Sequence, residues 1–327
     1  MELSLQQIQS ITHNVFGFNE KGIMFNRFLD KQYDAFKNES EDFYVRSKAS
    51  AGVTFDFITD SDYFAMKFKF DKGSSSPYGC FDIYVDKVLV DHKNLIMKSE
   101  SLGVELPKGE HRLTIYFPWT VDVTVKNVYL SDDSYIKEIK HDKRILAIGD
   151  SITQGYIVEY PSLMYSSILG FDLDVEVINQ GVSSYYFNPD SLTDDLNKYS
   201  FDLVTVFYGT NDFIRCETKD EFISCAKSYL DKLLTIFEKD KIVGIVPLYR
   251  GFDYDTVVKN MYKEYNFEDC QNILKDLYKE YDIKCIDEVG IPHLKEFYAP
   301  DGIHPNEFGH TVFGKNIVYD IKKIMNW

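Results

Sequence analysis

The sequence predicts an α/β protein, a doubly wound parallel sheet with helices on both faces, preceded by an all-β sandwich of jelly-roll type. Three observations predict it. The chain has 327 residues, enough for two domains at roughly 100–200 residues each. Before residue 140, apolar residues alternate with polar ones at period two. Beyond it they gather into short continuous runs separated by helical stretches. The expected division is a sandwich domain over 1–139 and an α/β domain over 140–327, joined by the charged stretch 131–144.

In the first part, Phe64, Met66, Phe68 and Phe70 alternate with Ala65, Lys67 and Lys69. Phe81, Ile83 and Val85 do the same, as do Val121, Val123 and Val125. Such alternation puts one side of a strand on a core and the other outward. Turn chemistry separates the strands at 71–77 and 107–109, where Gly, Ser and Pro cluster. Outside the N-terminal stretch no long helical pattern precedes residue 135. In the second part, 145–148, 175–178, 203–207 and 242–246 read as strands buried on both faces, with 283–287 a weaker fifth. Between them Phe222, Ala226, Tyr229, Leu230, Leu233 and Leu234 form one stripe of a helix over 221–238.

Charge and cysteine usage exclude several functions. Of the net charge of −16, residues 1–139 carry −5 (16 basic, 21 acidic) and residues 140–327 carry −11 (20 basic, 31 acidic). A surface this acidic disfavours nucleic acid and anionic membranes as partners and suits a neutral substrate. The five cysteines, Cys80, Cys216, Cys225, Cys270 and Cys285, contain no C-x-x-C pair and are too scattered for a disulfide framework. With no basic and apolar leader pattern at Met1–Gln7, the expectation is a cytoplasmic protein, a removed leader being the alternative.

In an open parallel sheet, ligands bind at the carboxyl ends of the strands. The residues directly after the apolar runs are Gly149-Asp150-Ser151, Asn179-Gln180-Gly181 and Gly209-Thr210-Asn211-Asp212, and Asp301-Gly302-Ile303-His304 precedes the last helix. A serine hydroxyl attacks an acyl carbon when a base removes its proton, and histidine suits that task near neutral pH. Asp301 can fix the tautomer of His304. The backbone N–H groups of Ser151 and Gly181 and the amide of Asn211 can face an oxyanion, with glycine at 181 allowing close approach to the substrate. This set performs acyl transfer with no cofactor and no metal.

These ordered blocks resemble the SGNH (GDSL) hydrolase superfamily over residues 143–324. The resemblance implies Ser151 as nucleophile, His304 as general base, Asp301 as its partner, and Ser151, Gly181 and Asn211 as the oxyanion hole. A β-sandwich ahead of such a domain is similar to two-domain carbohydrate acetyl-esterases. Some of these lack the acid partner of the histidine, whereas this sequence keeps Asp301. The implied activity is hydrolysis of acetyl or other short acyl esters, on an oligosaccharide or small molecule. Alternatives are a lipase, thioesterase or arylesterase on lipophilic esters, and an inactive carbohydrate-binding protein.

Other readings weigh less. Ser151 as a mere helix cap and Asn211 as a loop-bonding residue leave the other blocks unexplained. Asp150, Asp212 and Arg215 read as structural or rim residues. A metal cluster of Asp301, His304, Glu307 and His310 lacks the His-Glu-x-x-His order of zinc hydrolases. There is no Gly-x-Ser-x-Gly elbow, Walker A loop or Gly-x-Gly-x-x-Gly fingerprint. Core packing accounts for most of the 24 Tyr and 25 Phe, and Trp119, after Pro118, is the candidate for an exposed sugar platform. The sequence leaves the oligomeric state open.

Overall fold

The computed structural model describes residues 1–19, 23–249, 264–287 and 294–327. The predicted parallel sheet is present, in the order Glu176–Gly181, Arg144–Gly149, Leu203–Phe207, Ile242–Ile245, Lys284–Ile286. Every neighbouring pair in it is parallel. Its strands are apolar throughout because both faces are covered. Ile145 and Ala147 join the cluster containing Ile168, Leu169, Phe313 and Ile317, on helices Tyr165–Leu173 and Glu307–Met325. Leu146 and Ile148, one residue out of phase, join Phe222, Tyr229, Leu274 and Tyr278, on helices Lys219–Ile236 and Phe267–Glu280. The predicted helical stripe is buried at Phe222, Ala226, Tyr229, Leu230 and Leu233, with Leu234 partly buried.

The strand order reverses between Arg144–Gly149 and Leu203–Phe207. The connections out of these two strands leave in opposite directions and open a crevice at their carboxyl ends. That crevice holds the serine and asparagine blocks.

Ahead of this sheet lie two antiparallel sheets. One runs Thr12–His13, Thr54–Thr59, His111–Tyr116, Tyr78–Val85, Val88–Ile96; the other runs Gly17–Phe18, Ile23–Asn26, Val121–Leu130, Tyr63–Lys72, Ser101–Glu105. Residues from both share one core, including Phe55, Phe57, Ile83 and Ile115 of the first and Phe64, Phe68, Val123 and Val125 of the second. The alternation at Phe64, Met66, Phe68 and Phe70 is realised in the burial of strand Tyr63–Lys72. The linking stretch adds a further strand, Ile136–Glu138, paired antiparallel with Thr54–Thr59.

Two helices of the N-terminal part, Asp30–Glu39 and Glu41–Ser47, follow the strand Ile23–Asn26. Phe28 and Phe36 pack into the core of the parallel sheet. Gln32 exchanges amide hydrogen bonds with Gln180, whose own amide also donates to Arg27 O. Arg27 is fully buried and donates to Ser47 O (3.1 Å) and to the carbonyl of Asn179. The guanidinium meets carbonyls that would otherwise be buried without a donor. It ties the N-terminal part directly to the end of the strand before Gly181.

Trp119 corrects the expectation of a sugar platform. It is 4% exposed, donates its indole N–H to Val158 O (2.6 Å), and packs with Ala51, Val158 and Met164. It fills the seam between the antiparallel sheets and the segment that follows Ser151.

Candidate active site

Ser151 begins a short helix, Ser151–Gln154, directly after the strand Arg144–Gly149. Asp150 caps it by accepting from Ile152 N (2.9 Å). Gly149 is demanded by space, since a Cβ there would sit 2.0 Å from Thr153 Oγ1. The serine hydroxyl is therefore held on rigid structure at the sheet edge, 6% exposed.

His304 reaches it from a loop more than 150 residues later. Ser151 Oγ and His304 Nε2 are 2.8 Å apart. His304 Nδ1 lies 2.7 Å from Asp301 Oδ2. The other carboxylate oxygen accepts from Ile303 N (2.9 Å) and His304 N (3.0 Å), which winds the four residues into a tight turn with Gly302 at φ 69°. Burial alone would raise the Asp301 pKa, but the hydrogen bonds from the His304 ring and from these backbone N–H groups outweigh it and hold the carboxyl down to about 2. With a carboxylate on Nδ1, the neutral ring keeps its proton there and turns a lone pair toward the serine. Asn306 then caps the last helix through Gly309 N (3.1 Å), fixing the loop to the fold. The Tyr156 ring lies 4.6 Å from the His304 ring, centroid to centroid.

The expected oxyanion donors differ in their surroundings. Asn211 is at the head of helix Thr210–Arg215, and its amide donates to Tyr185 O (2.9 Å) and more weakly to Asp150 Oδ2 (3.3 Å). The Gly181 N–H donates to Asn179 Oδ1 (2.9 Å). A Cβ on Gly181 would lie 2.1 Å from Gln154 N, so the missing side chain admits the serine helix rather than opening space for substrate. Ser183 ties this loop to Gln154 (N–H to Oε1, 2.7 Å), while Tyr185 O meets Asn211. Ser184, exposed and at φ 67°, lies between those two ties. Nothing in the sequence marks it, because a left-handed serine has no compositional signature.

The remaining polar residues support this frame. Asp212 is buried, accepts from Phe187 N (2.9 Å) and Gly209 N (3.1 Å), and burial pushes its carboxyl up to about 7. The Arg215 guanidinium lies over the Tyr186 ring at 3.6 Å. The alternative cluster of Asp301, His304, Glu307 and His310 is dispersed. Glu307 accepts from Glu159 N (2.8 Å), and buried His310 accepts from Tyr165 N (3.3 Å). His293 lies outside the described residues.

The profile of the GDSL-like Lipase/Acylhydrolase family matches residues 147–312. No curated protein matches the sequence. Among solved structures, the salicylyl-acyltransferase SsfX3 from a tetracycline biosynthetic pathway is similar over 99% of this chain and 97% of its own, with 17% identity and a TM-score of 0.82. A family two carbohydrate esterase from Clostridium thermocellum, in complex with cellohexaose, is similar over 85% of this chain and 94% of its own, with 16% identity and a TM-score of 0.63. The acetyl xylan esterase Est2A from Butyrivibrio proteoclasticus is similar over 100% and 99%, with 12% identity and a TM-score of 0.64. At these identities the likenesses establish a shared fold. No helix among the described residues is long and apolar enough to cross a membrane.

Proposed function

The chain belongs to the GDSL-like lipase/acylhydrolase family, a serine ester hydrolase by its domain, and from that premise we propose that it removes acetyl or other short acyl groups from hydroxyls of an oligosaccharide or small molecule. The observation that carries the reading is the chain of contacts Ser151 Oγ, His304 Nε2, His304 Nδ1 and Asp301 Oδ2, linked at 2.8 and 2.7 Å. His304 takes the Ser151 proton as Oγ attacks the ester carbon, and Asp301 stabilises the imidazolium that forms. Collapse of the tetrahedral intermediate expels the alcohol, which receives its proton from His304 and leaves an acyl-serine. Water, deprotonated by the same imidazole, then releases the acid and restores Ser151.

The oxyanion would be received by the Ser151 N–H and by Asn211, whose weaker 3.3 Å bond to Asp150 is the one to yield. Gly181 would contribute by sharing its N–H, which donates to Asn179 Oδ1 at 2.9 Å. The short acyl preference and the sugar alcohol rest on the named activities of the carbohydrate-esterase neighbours, which share both the antiparallel and the parallel parts. A jelly-roll module over 1–139 and a hydrolase domain over 140–327 remain our division, with Arg27 and the helices at 30–47 bracing the second part. The SsfX3 likeness supports a second reading, transfer of the acyl group to an alcohol instead of water.

The test is hydrolysis of p-nitrophenyl acetate, butyrate and octanoate by wild type and Ser151→Ala, with acetyl release from acetylated oligosaccharides alongside. We expect a preference for acetate, and loss of turnover in the variant on the order of 10⁶-fold. Equal turnover by both proteins would remove Ser151 from the mechanism. A preference for octanoate would replace the acetyl reading with a lipase.

A further inference from the structure

Away from the serine, the strands Tyr78–Val85 and Val88–Ile96 pair with Cys80 opposite Asn94 and Asp82 opposite His92. Residues directly opposite on a sheet, and residues two apart on a strand, share a face. These four side chains therefore lie together on the face of the hairpin turned away from the sandwich core. The segment after the serine helix covers that face. Ser162 N donates to Asp82 Oδ2 (2.9 Å), the Tyr160 ring stacks on His92 at 4.0 Å, and Glu159 Oε1 accepts from Asn94 Nδ2 (3.0 Å).

We propose that Cys80, His92 and Glu159 form a binding site for a divalent transition-metal ion of the zinc class. One donor atom each from Cys80 (Sγ), His92 (a ring nitrogen) and Glu159 (a carboxylate oxygen) lies within 4.8 Å of the others, and His92 Nε2 is 3.7 Å from Glu159 Oε1. Metal–nitrogen and metal–oxygen bonds of about 2.0–2.2 Å at tetrahedral angles hold such atoms at about that separation. The histidine is already set for coordination. Its Nδ1 meets the fully buried Asp82 carboxylate at 2.7 Å, the carboxylate–histidine pairing that orients a metal ligand, and its Nε2 is buried with no hydrogen-bond partner. A buried imidazole nitrogen that faces a thiol and a carboxylate, with no hydrogen bond among the described residues, is explained by a cation between them.

The donors also choose the ion. A thiolate and a carboxylate neutralise two positive charges, and sulfur with nitrogen favours zinc-like ions over calcium or magnesium, which demand oxygen. Binding exchanges the Cys80 thiol proton for the ion, and the proton passes to solvent. Three protein ligands leave a fourth position open, on the side where Glu159 is 48% exposed. The bound ion would fasten the hairpin to residues 155–160. That segment carries Tyr156, against His304, and its Glu159 N–H donates to Glu307, three residues beyond His304. The site would thus brace the two loops that bring nucleophile and base together.

The experiment is titration of the chelator-treated full chain with Co²⁺ as the probe, followed by displacement with Zn²⁺. We expect one equivalent per chain, with a thiolate-to-cobalt charge-transfer band in the near ultraviolet that zinc abolishes. Cys80→Ser should lose the band. Glu159→Gln, at an exposed carboxylate, should fold normally and bind cobalt weaker by at least the roughly 10–100-fold that loss of an outer partner costs. No band in wild type, a band that survives Cys80→Ser, or unchanged affinity in Glu159→Gln would each overturn the site.

Discussion

Two histidines in this chain make the same bond and face different company. His304 and His92 each set Nδ1 2.7 Å from an aspartate oxygen, Asp301 in one case and Asp82 in the other. Each ring is 16% exposed. What differs is the group met by Nε2. At His304 it is the Ser151 hydroxyl at 2.8 Å, a donor that satisfies the lone pair and, in the mechanism we propose, becomes the nucleophile when its proton is taken. At His92 it is a cysteine sulfur and a glutamate oxygen, which leave that nitrogen without a hydrogen bond among the described residues. The carboxylate–imidazole pair is an orienting device and carries no function by itself. Function follows from what stands on the far side of the ring.

The largest effect that tests this contrast is expected at Asp301. Asp301→Asn should keep the loop, because an amide oxygen still accepts from Ile303 N or His304 N, yet it removes the charge that fixes the ring. We expect kcat for p-nitrophenyl acetate to fall by about 10⁴-fold with little change in KM, the cost of presenting the wrong tautomer to a serine. Since hydrogen bonding holds the Asp301 carboxyl down to about 2, it stays ionised above pH 4 and should put no step in the rate profile there. A fall of less than tenfold would demote Asp301 from partner to loop residue.

The legibility of the two sites differs as sharply as their chemistry. Ser151 and Asn211 could be picked out in the sequence because parallel strands buried on both faces leave continuous apolar runs, and the residues ending those runs share one sheet edge; Asp301 and His304 could be picked out as an Asp-x-x-His block directly before the last helix. Cys80, Asp82 and His92 could not. In a period-two strand Asp82 alternates with Phe81 and Ile83 and so reads as facing water; in the fold it is fully buried, because residues 159–162 close over it. No local pattern announces a cover supplied from about 80 positions away. The same holds for Trp119, buried against Val158, and for Gly181, whose neighbour proved to be the serine helix. The helices at 30–47 were obscured differently. Their exposed faces are strongly polar, and only Gln32, Phe36 and Ser47 are buried in them.

A smaller effect should follow the matching change at the other pair. Asp82→Asn preserves an acceptor for Ser162 N but no longer holds the His92 ring through a charge. We expect cobalt affinity to fall by about 10–100-fold, while kcat for p-nitrophenyl acetate, measured at saturating Co²⁺, stays near wild type. Isothermal titration with Co²⁺ and a parallel rate assay separate the two. A large loss of kcat with unchanged cobalt binding would reverse the assignment of roles to the two aspartates.

A third histidine completes the series and carries the smallest effect. Among the described residues, His310 has no carboxylate partner. It is fully buried, its Nδ1 accepts from Tyr165 N at 3.3 Å, and its Nε2 has no hydrogen-bond partner. Burial, with a small contribution from His304, pushes it down to about 3 from an ordinary value of 6.5. The folded chain therefore keeps this ring neutral where the unfolded chain protonates it. Its contribution to stability is complete above pH 6.5 and is lost progressively as pH falls toward 3. The slope attributable to one such proton is at most about 1.4 kcal/mol per pH unit. Urea unfolding of wild type and His310→Gln at pH 7, 6, 5 and 4.5 should show a gap that narrows, or changes sign, as pH falls, because only the wild type takes up this proton on unfolding. The range stops short of the acid region where Asp301 titrates. A gap that stays constant with pH would mean that His310 is as easily protonated in the fold as outside it. Burial without a carboxylate would then no longer be what separates it from His304 and His92.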